Sequence, residues 1–243
     1  MEAKYIHREL SAVIEEAYRY FSVITVTGPR QSGKTTLLRN LFSYLPYYSL
    51  ENLDVRSFAE NDPVAFLNQH TEGMILDEVH NAPNLLSYIQ GMVDNDADRR
   101  FILSGSSQFA MLKKVTQSLA GRTAVFELLP LSYSEIREQI TDTPLDNLLF
   151  NGFYPAIYSG RNIPKFLYPA YMKTYLDKDV RDLLQIKDMM QFHTFIRLCA
   201  GRIGSLFKAS ELANEIGVSS HTVTAWLSVL QASYIVFLLP PYF

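Results

Sequence analysis

Short apolar runs, rich in β-branched residues, recur through the first 130 residues and are separated by longer stretches with helical periodicity. The runs with strand character are Val23–Thr27, Tyr47–Leu50, Met74–Leu76, Phe101–Leu103 and Ala124–Leu129. β-Branched residues suit buried parallel strands. Strands that alternate with helices are typical of a mostly parallel sheet covered on both faces. With an amphipathic helix over residues 1–21, the pattern predicts an α/β fold with five strands.

The strand signal ends near residue 131, which indicates a change of structural class. Residues 131–205 have helical periodicity, for example at Tyr168, Tyr171 and Tyr175. We therefore predict three regions: an α/β domain over 1–130, a helical lid or linker over 131–205, and a third module over 206–243.

The third module has the pattern of a helix-turn-helix. Ser210 is suited to cap one short helix, Gly217 to form the turn, and Ser219 or Ser220 to cap the second helix. The expected inward positions are Leu212, Ile216, Val218, Val223 and Trp226. The apolar run Tyr234–Leu239 is predicted to be the first strand of a wing, so that the module resembles a partial winged helix.

Composition and charge exclude several classes of protein. Hydrophobic residues make up 48% and charged residues 19%, which argues against intrinsic disorder. The formal net charge is −3, so general electrostatic attraction to nucleic acid or anionic lipid is not expected. One cysteine and five dispersed histidines offer no metal site made of protein ligands alone. The N-terminus lacks a signal-peptide pattern and no apolar run reaches membrane-spanning length, so we expect a cytoplasmic protein without membrane contact.

The first candidate for chemistry is a glycine-rich loop. Residues 28–35 fit the pattern G-x-x-x-x-G-K-[ST], directly after one predicted strand and before a predicted helix. In this context the loop's backbone N–H groups and the helix dipole bind phosphates, Lys34 reaches the β- and γ-phosphates, and the Thr35 hydroxyl ligates Mg²⁺. The alternative is a chance turn. The predicted nucleotide-binding residues are Gly28, Pro29, Arg30, Gln31, Ser32, Gly33, Lys34, Thr35 and Thr36, with Arg30 expected to face solvent.

Two carboxylates follow the strand at 74–76. Asp77, at the end of an apolar strand, is expected to hold Mg²⁺ through its water shell, and Glu78 to orient or deprotonate the water that attacks the γ-phosphate. The alternative for this pair is an exposed acidic turn after a core strand.

Two further candidates are a serine and an arginine. Ser106, or secondly Ser104, is placed to bond the γ-phosphate or the attacking water, although serine there also suits a helix cap. Arg122 follows a glycine and precedes a strand, where a guanidinium would stabilise the transferring phosphoryl group, in cis or across a subunit interface. Its alternative is a surface ion pair. The predicted catalytic set is thus Lys34, Glu78, Ser106 and Arg122.

The segments GPRQSGKTTLL, MILDEVHNAP, FILSGSSQF, SLAGR and LLPLSYSEI, in this order, resemble the AAA-type ATPases of the AAA_14/DUF4143 group. The resemblance implies a P-loop NTPase fold of the additional-strand type with sheet order 5-1-4-3-2. It matches Lys34 and Thr35 to the first nucleotide motif, Asp77 and Glu78 to the second, and Arg122 to the arginine after the small-residue pair Ala-Gly. Members typically continue into a C-terminal nuclease-like domain, whose residues are not expected in this sequence.

These observations predict a Mg²⁺-dependent ATPase whose nucleotide state moves or gates the helical, winged-helix-like module. One alternative is a low-turnover regulatory switch or DNA-binding adaptor that holds ATP or ADP, and another is a small-molecule phosphotransferase. ATP is favoured over GTP only because no guanine-reading Asn-Lys-x-Asp is present. DNA binding is weakly supported because the second helix of the module, from Ser219 to Thr224, carries no Lys or Arg. A homo-oligomer is a further expectation.

Overall fold

The computed structural model describes residues 5–106, 118–176 and 189–240 of the chain. Its residues divide into two compact units, Met1–Pro164 and Lys165–Phe243. This division lies inside the region 131–205 that the sequence pattern treats as one helical segment. Within the described residues, no helix combines the length and the apolar character needed to cross a membrane.

The first unit is built around a five-stranded sheet. Its strands are β1 (Val23–Thr27), β2 (Tyr47–Ser49), β3 (Gly73–Asp77), β4 (Arg100–Gly105) and β5 (Thr123–Glu127). All neighbouring pairs are parallel and the order is β2-β3-β4-β1-β5. This is the sheet order that the family resemblance implies, and it confirms the predicted α/β P-loop fold.

Helices precede, connect and follow these strands. In the first unit they are α1 (Leu10–Tyr18), α2 (Lys34–Leu41), α3 (Leu53–Asn61), α4 (Pro63–Leu67), α5 (Leu85–Asn95), α6 (Tyr133–Ile136), α7 (Leu145–Asn151) and α8 (Pro155–Tyr158). In the second unit they are α9 (Pro164–Tyr171, which starts on the last residue of the first unit), α10 (Met189–Ala200), α11 (Ala209–Ile216) and α12 (Ser220–Ala232). A π-helical turn, Met172–Leu176, continues α9.

The central strands are mostly apolar because both faces of the sheet are buried. Every residue of β1 and of β3 is buried. Successive residues alternate between two cores: Val23 packs with Phe66 and Phe101, while Ile24 packs on the other face with Leu37. A continuous apolar run with this double burial is the signature of a parallel sheet, and it explains why the strand positions could be predicted.

The second unit contains the expected pair of helices around an aromatic core. Trp226 of α12 lies against Phe192 and Phe195 of α10, with ring centroids 5.5 and 5.6 Å away. Gly217 ends α11 in the left-handed conformation at φ 78°, which favours glycine. The Ser219 hydroxyl caps α12 by accepting a hydrogen bond from the Thr222 N–H at 3.0 Å.

Two details of this module differ from the sequence-based expectation. Ser210 does not cap α11, because the helix already begins at Ala209. The predicted wing strand Tyr234–Leu239 is not a strand. Tyr234 has φ 58°, and the N–H groups of Ile235 and Val236 donate back to the Leu230 carbonyl at the end of α12. These bonds turn the chain onto the helix end and engage the N–H groups of Ile235 and Val236.

Candidate functional site

The glycine-rich loop connects β1 to α2 and depends on two glycines. Gly28 has φ +145°, and a Cβ at this position would lie 2.2 Å from the Leu128 carbonyl oxygen, so only glycine fits. Gly33 has φ +97° and immediately precedes α2. Since the first N–H groups of a helix have no carbonyl partner within it, the start of α2 presents donors and a positive dipole end to an anion.

The side chain of Lys34 lies against this loop rather than in solvent. The residue is buried, and its Nζ donates to the Gly28 and Pro29 carbonyl oxygens at 2.9 Å each. Burial lowers its pKa, and the carboxylates of Glu78 and Asp77 oppose that shift. An ammonium group that is buried and donates to neutral carbonyls is well matched to a phosphate, which would supply the opposite charge.

Other loop residues differ in exposure. Ser32 is buried, and its Oγ has no hydrogen-bond partner among the described residues, so a phosphate oxygen would give this donor an acceptor. Gln31 is exposed with φ 62°. Arg30 was expected to face solvent. It is instead half-buried, with its Nε atom shielded from water.

Asp77 ends β3 beside the loop and accepts hydrogen bonds from several elements. The Thr35 hydroxyl and the Tyr47 hydroxyl each donate to Oδ2 at 2.7 Å. The Ser104 hydroxyl and the Glu78 N–H, the latter at 3.2 Å, donate to Oδ1. Oxygen donors of this kind, a threonine hydroxyl and a carboxylate, are the ligands that Mg²⁺ prefers, so Thr35 and Asp77 fit the ion by their chemistry.

Glu78 follows in the left-handed region at φ 54°, an uncommon conformation for a residue other than glycine. Its Oε2 accepts from the Ser106 N–H at 2.9 Å and the Ser106 hydroxyl at 3.2 Å, and lies 3.1 Å from His80 Nδ1. Burial raises its pKa, but hydrogen bonds from His80 and Ser106 and the charges of His80 and Lys34 outweigh this and lower it to about 2. Glu78 is therefore ionised near neutral pH.

The two serines do not contact the same carboxylate. Ser104 was the second choice for a γ-phosphate ligand, yet its hydroxyl binds Asp77, while Ser106, the first choice, binds Glu78. The structure thus brings six predicted residues together where the parallel strands end: Lys34, Thr35, Asp77, Glu78, Ser104 and Ser106. This follows from the parallel register, which places the carboxyl ends of β1, β3 and β4 side by side.

Arg122 lies at the opposite side of the sheet, where the strands begin. It precedes Thr123, which pairs with Val23 at the start of β1, so the length of a strand, about 13 Å, separates it from the loop. Its guanidinium forms a bidentate ion pair with Asp94 on the surface. The in-cis role does not fit this position, which leaves the subunit-interface alternative and the surface ion pair.

Three residues that contact the site were missed by the sequence analysis. The Arg8 guanidinium donates to the Ser32 carbonyl at 2.8 Å, behind the loop. Tyr47 and His80 contact the two carboxylates, as described above. His80 is close enough in sequence to Glu78 to have been noticed. A single sequence contains no comparable signal for Arg8 or Tyr47.

The surface of the helix-turn-helix gives little support to DNA binding. Two basic residues near it are engaged by acidic side chains: Arg202 pairs with Glu215, and Lys208 pairs with Glu211 at 2.7 Å. The capping turn of α12 contains no Lys, Arg, Asp or Glu. Phosphate-neutralising cations, which dominate affinity for duplex DNA, are therefore not displayed by these residues.

Comparison with known proteins agrees with the fold. Residues 20–137 match the AAA_14 model of AAA domains, and residues 142–243 match DUF8612, a domain of unknown function, rather than DUF4143. A structural neighbour is the Walker-type ATPase PABY2304 of Pyrococcus abyssi, with a TM-score of 0.62 at 14% identity over 94% of this chain and 90% of that chain. At this identity the likeness establishes a shared fold.

Two relatives are uncharacterized proteins. Rv2008c of Mycobacterium tuberculosis is 29% identical over 97% of this chain and 54% of its own length. MJ1544 of Methanocaldococcus jannaschii is 23% identical over 88% of this chain and 55% of its own length. The chain thus spans about half the length of the curated relatives it matches. Residues 20–137, which contain all five strands of the sheet, thus carry an AAA domain of the AAA_14 type.

Proposed function

We propose that this chain binds ATP with Mg²⁺ and hydrolyses it to ADP and phosphate. The observation that carries the proposal is the convergence of Lys34, Thr35, Asp77 and Glu78 at the carboxyl edge of one parallel sheet, next to the start of α2. A buried lysine, two metal-type oxygen donors and an ionised carboxylate at one edge meet the requirements of phosphoryl transfer to water.

Each residue has a distinct role in this proposal. The loop N–H groups and Lys34 bind the β- and γ-phosphates, and Thr35 and Asp77 hold Mg²⁺, which supplies charge neutralisation when bound. Glu78 orients the attacking water. The water oxygen bonds to the γ-phosphorus, the bond to the bridging oxygen breaks, and its electron pair leaves with ADP. The proton of the water passes to a phosphate oxygen or to Glu78. Since a carboxylate with a pKa of about 2 is a weak base, orientation is its main contribution.

One observation favours the low-turnover switch as a second candidate. Oε2 of Glu78 is already engaged by Ser106 and lies near His80, so in this conformation that oxygen is not free to orient a water molecule. A protein that kept this arrangement with nucleotide bound would hold ATP or ADP and release little phosphate. The two candidates differ in turnover, not in binding.

Two variants test these candidates: Lys34→Ala tests the binding that both require, and Glu78→Gln tests the turnover in which they differ. Lys34→Ala should lose nucleotide binding, and Glu78→Gln should keep binding while losing phosphate release. Purified wild-type chain that binds nucleotide but releases no phosphate above the Glu78→Gln level, with and without DNA, would support the switch. Glu78→Gln turnover equal to a measurable wild-type rate would show that Glu78 is not the residue that orients water.

We further propose that the nucleotide state changes the position of the second unit. Trp226 is the single tryptophan of the chain and is buried in the second unit, so it can serve as a fluorescence donor to a methylanthraniloyl nucleotide bound at the loop. Different transfer efficiencies with the ADP and the non-hydrolysable ATP derivatives would support the movement. Equal efficiencies at saturation would exclude it.

A further inference from the structure

The Asp77 carboxylate accepts four hydrogen bonds, which is the full capacity of its two oxygens. Thr35 and Tyr47 donate to Oδ2, and Ser104 and Glu78 donate to Oδ1. A carboxylate offers about four lone-pair positions to donors. With all of them in use, neither a metal ion nor a water molecule can bind this carboxylate unless one donor leaves.

The four donors differ in how readily they can be displaced. The Glu78 donor is a backbone N–H of the next residue, and Ser104 is fully buried in the interior strand β4. Thr35 belongs to the first turn of α2 and is itself a proposed metal ligand. Tyr47 differs, because its hydroxyl ends a long side chain from the edge strand β2.

Tyr47 also has a second contact that can retain its ring. The guanidinium of Arg39 lies 4.9 Å from the centroid of the Tyr47 ring. The residue is half-buried. A small movement of the ring would therefore withdraw the hydroxyl from Asp77 without removing the side chain from its position between β2 and α2.

We propose that the Tyr47 hydroxyl occupies the position on Asp77 that a water of the Mg²⁺ shell takes when the metal–nucleotide complex binds. Tyr47 then competes with the hydrated ion and sets the Mg²⁺ concentration that the site requires. Mg²⁺ gives up its waters reluctantly and often contacts carboxylates through them, so the position needed is that of a hydrogen-bond donor. This inference rests on the proposed function.

The test is Tyr47→Phe, which removes the hydroxyl and keeps the ring over Arg39. Binding of methylanthraniloyl-ADP is measured by fluorescence while Mg²⁺ is titrated, and again in EDTA. Because the competing donor is lost, we expect the half-saturating Mg²⁺ concentration to fall by about three- to tenfold, with binding in EDTA unchanged.

The matched control is Tyr48→Phe, the next residue on the same strand. Its hydroxyl lies 2.8 Å from His70 Nε2 and does not contact Asp77, so its Mg²⁺ requirement should equal that of the wild type. Thermal unfolding of both variants without nucleotide checks that each is folded.

The outcomes are distinguishable. A lower Mg²⁺ requirement in Tyr47→Phe alone supports the proposal. An unchanged or higher requirement overturns it, since Tyr47 would then orient Asp77 rather than compete with the ion. If the wild type binds no nucleotide at any Mg²⁺ concentration, the proposed function itself fails, and this result does not depend on either variant.

Discussion

Replacing Arg8 with alanine removes a buried guanidinium that joins three parts of the first unit. Arg8 is 5% exposed. It donates to the Ser32 carbonyl at 2.8 Å, to the Leu129 carbonyl at 2.7 Å and to Glu135 Oε1 at 3.0 Å. The residue thus ties the phosphate-binding loop to the segment that follows β5. Its loss should destabilise the first unit and loosen the loop.

The loss of stability in Arg8→Ala depends on the Glu135 carboxylate that remains. Glu135 is 5% exposed and loses its cationic partner, and breaking a buried ion pair in this way costs about 3–5 kcal/mol. Glu135 keeps hydrogen bonds from the Ser132 and Glu9 N–H groups, at 2.8 and 2.9 Å, so the lower end, about 3 kcal/mol, is the better expectation. At about 2–4 °C per kcal/mol, the midpoint of thermal unfolding should fall by about 6–12 °C.

The assay is thermal unfolding of the full chain, followed by circular dichroism and by Trp226 fluorescence. Because Trp226 lies in the second unit, its fluorescence reports that unit, whereas the main dichroism change includes the sheet of the first unit. Arg8→Ala should shift the dichroism transition and leave the Trp226 transition in place. Arg19→Ala, at the exposed end of α1, is the control and should change stability by less than about 0.5 kcal/mol.

A second variant separates the charge from the packing. Adding Glu135→Gln to Arg8→Ala removes the stranded charge, so the double variant should recover part of the lost stability. If Arg8→Ala unfolds at the temperature of Arg19→Ala, or if the double variant is less stable than Arg8→Ala, the reasoning from a buried ion pair is wrong.

Three further predictions concern the site. Because burial lowers the pKa of Lys34, its positive charge is lost at a lower pH than in an ordinary lysine. Nucleotide affinity should therefore fall as pH rises toward about 10. A Kd that stays constant up to that pH would contradict the role of Lys34 in binding phosphate. Because the pKa of Glu78 is about 2, its carboxylate should stay ionised between about pH 5 and 8; an infrared band of a protonated carboxyl group that appears in this range in the wild type and not in Glu78→Gln would contradict the shift. Arg122→Ala should leave nucleotide affinity unchanged. If Arg122 acts across an interface, mixing this variant with Lys34→Ala should restore turnover. Equal turnover of Arg122→Ala and wild type would show that the role of Arg122 is the surface ion pair with Asp94.

The strands and most of the site could be predicted because they share one physical cause. A strand buried on both faces is a short apolar run, and the polar residues that end it lie at the edge of the sheet where ligands bind. Val23–Thr27 and Met74–Leu76 show this pattern in the sequence, and both lie in the sheet as expected. The order of the strands was a different matter, since it came from the family resemblance and not from periodicity.

Arg8 and Tyr47 could not be predicted, because their contacts join distant parts of the chain. Arg8 meets Glu135 across 127 residues and Tyr47 meets Asp77 across 30 residues. Local pattern contains no information about such pairs. A partial signal existed at Ser132 and Glu135, whose Ser-x-x-Glu spacing is that of a capping box, and the structure forms that box at the start of α6.

The predicted wing strand failed for a related reason. The run Tyr234–Leu239 has the composition of a strand, but a strand is stabilised by a neighbour that composition does not specify. Its first N–H groups instead satisfy the carbonyl of Leu230 at the end of α12. An apolar run next to a helix end can therefore either pair in a sheet or donate to the unpaired carbonyls of the helix, and here it donates to the helix.

The parallel direction of the strands determines whether Arg122 can act on a nucleotide bound to its own chain. All strands of the sheet run in one direction, so residues before a strand and residues after it lie at opposite edges. Lys34 follows β1, Asp77 ends β3 and Arg122 precedes β5, so no side-chain rotation brings that arginine to the loop of its own chain. A contribution from Arg122 to phosphoryl transfer therefore requires a second copy, and a chain that hydrolyses ATP fully as a monomer does so without it.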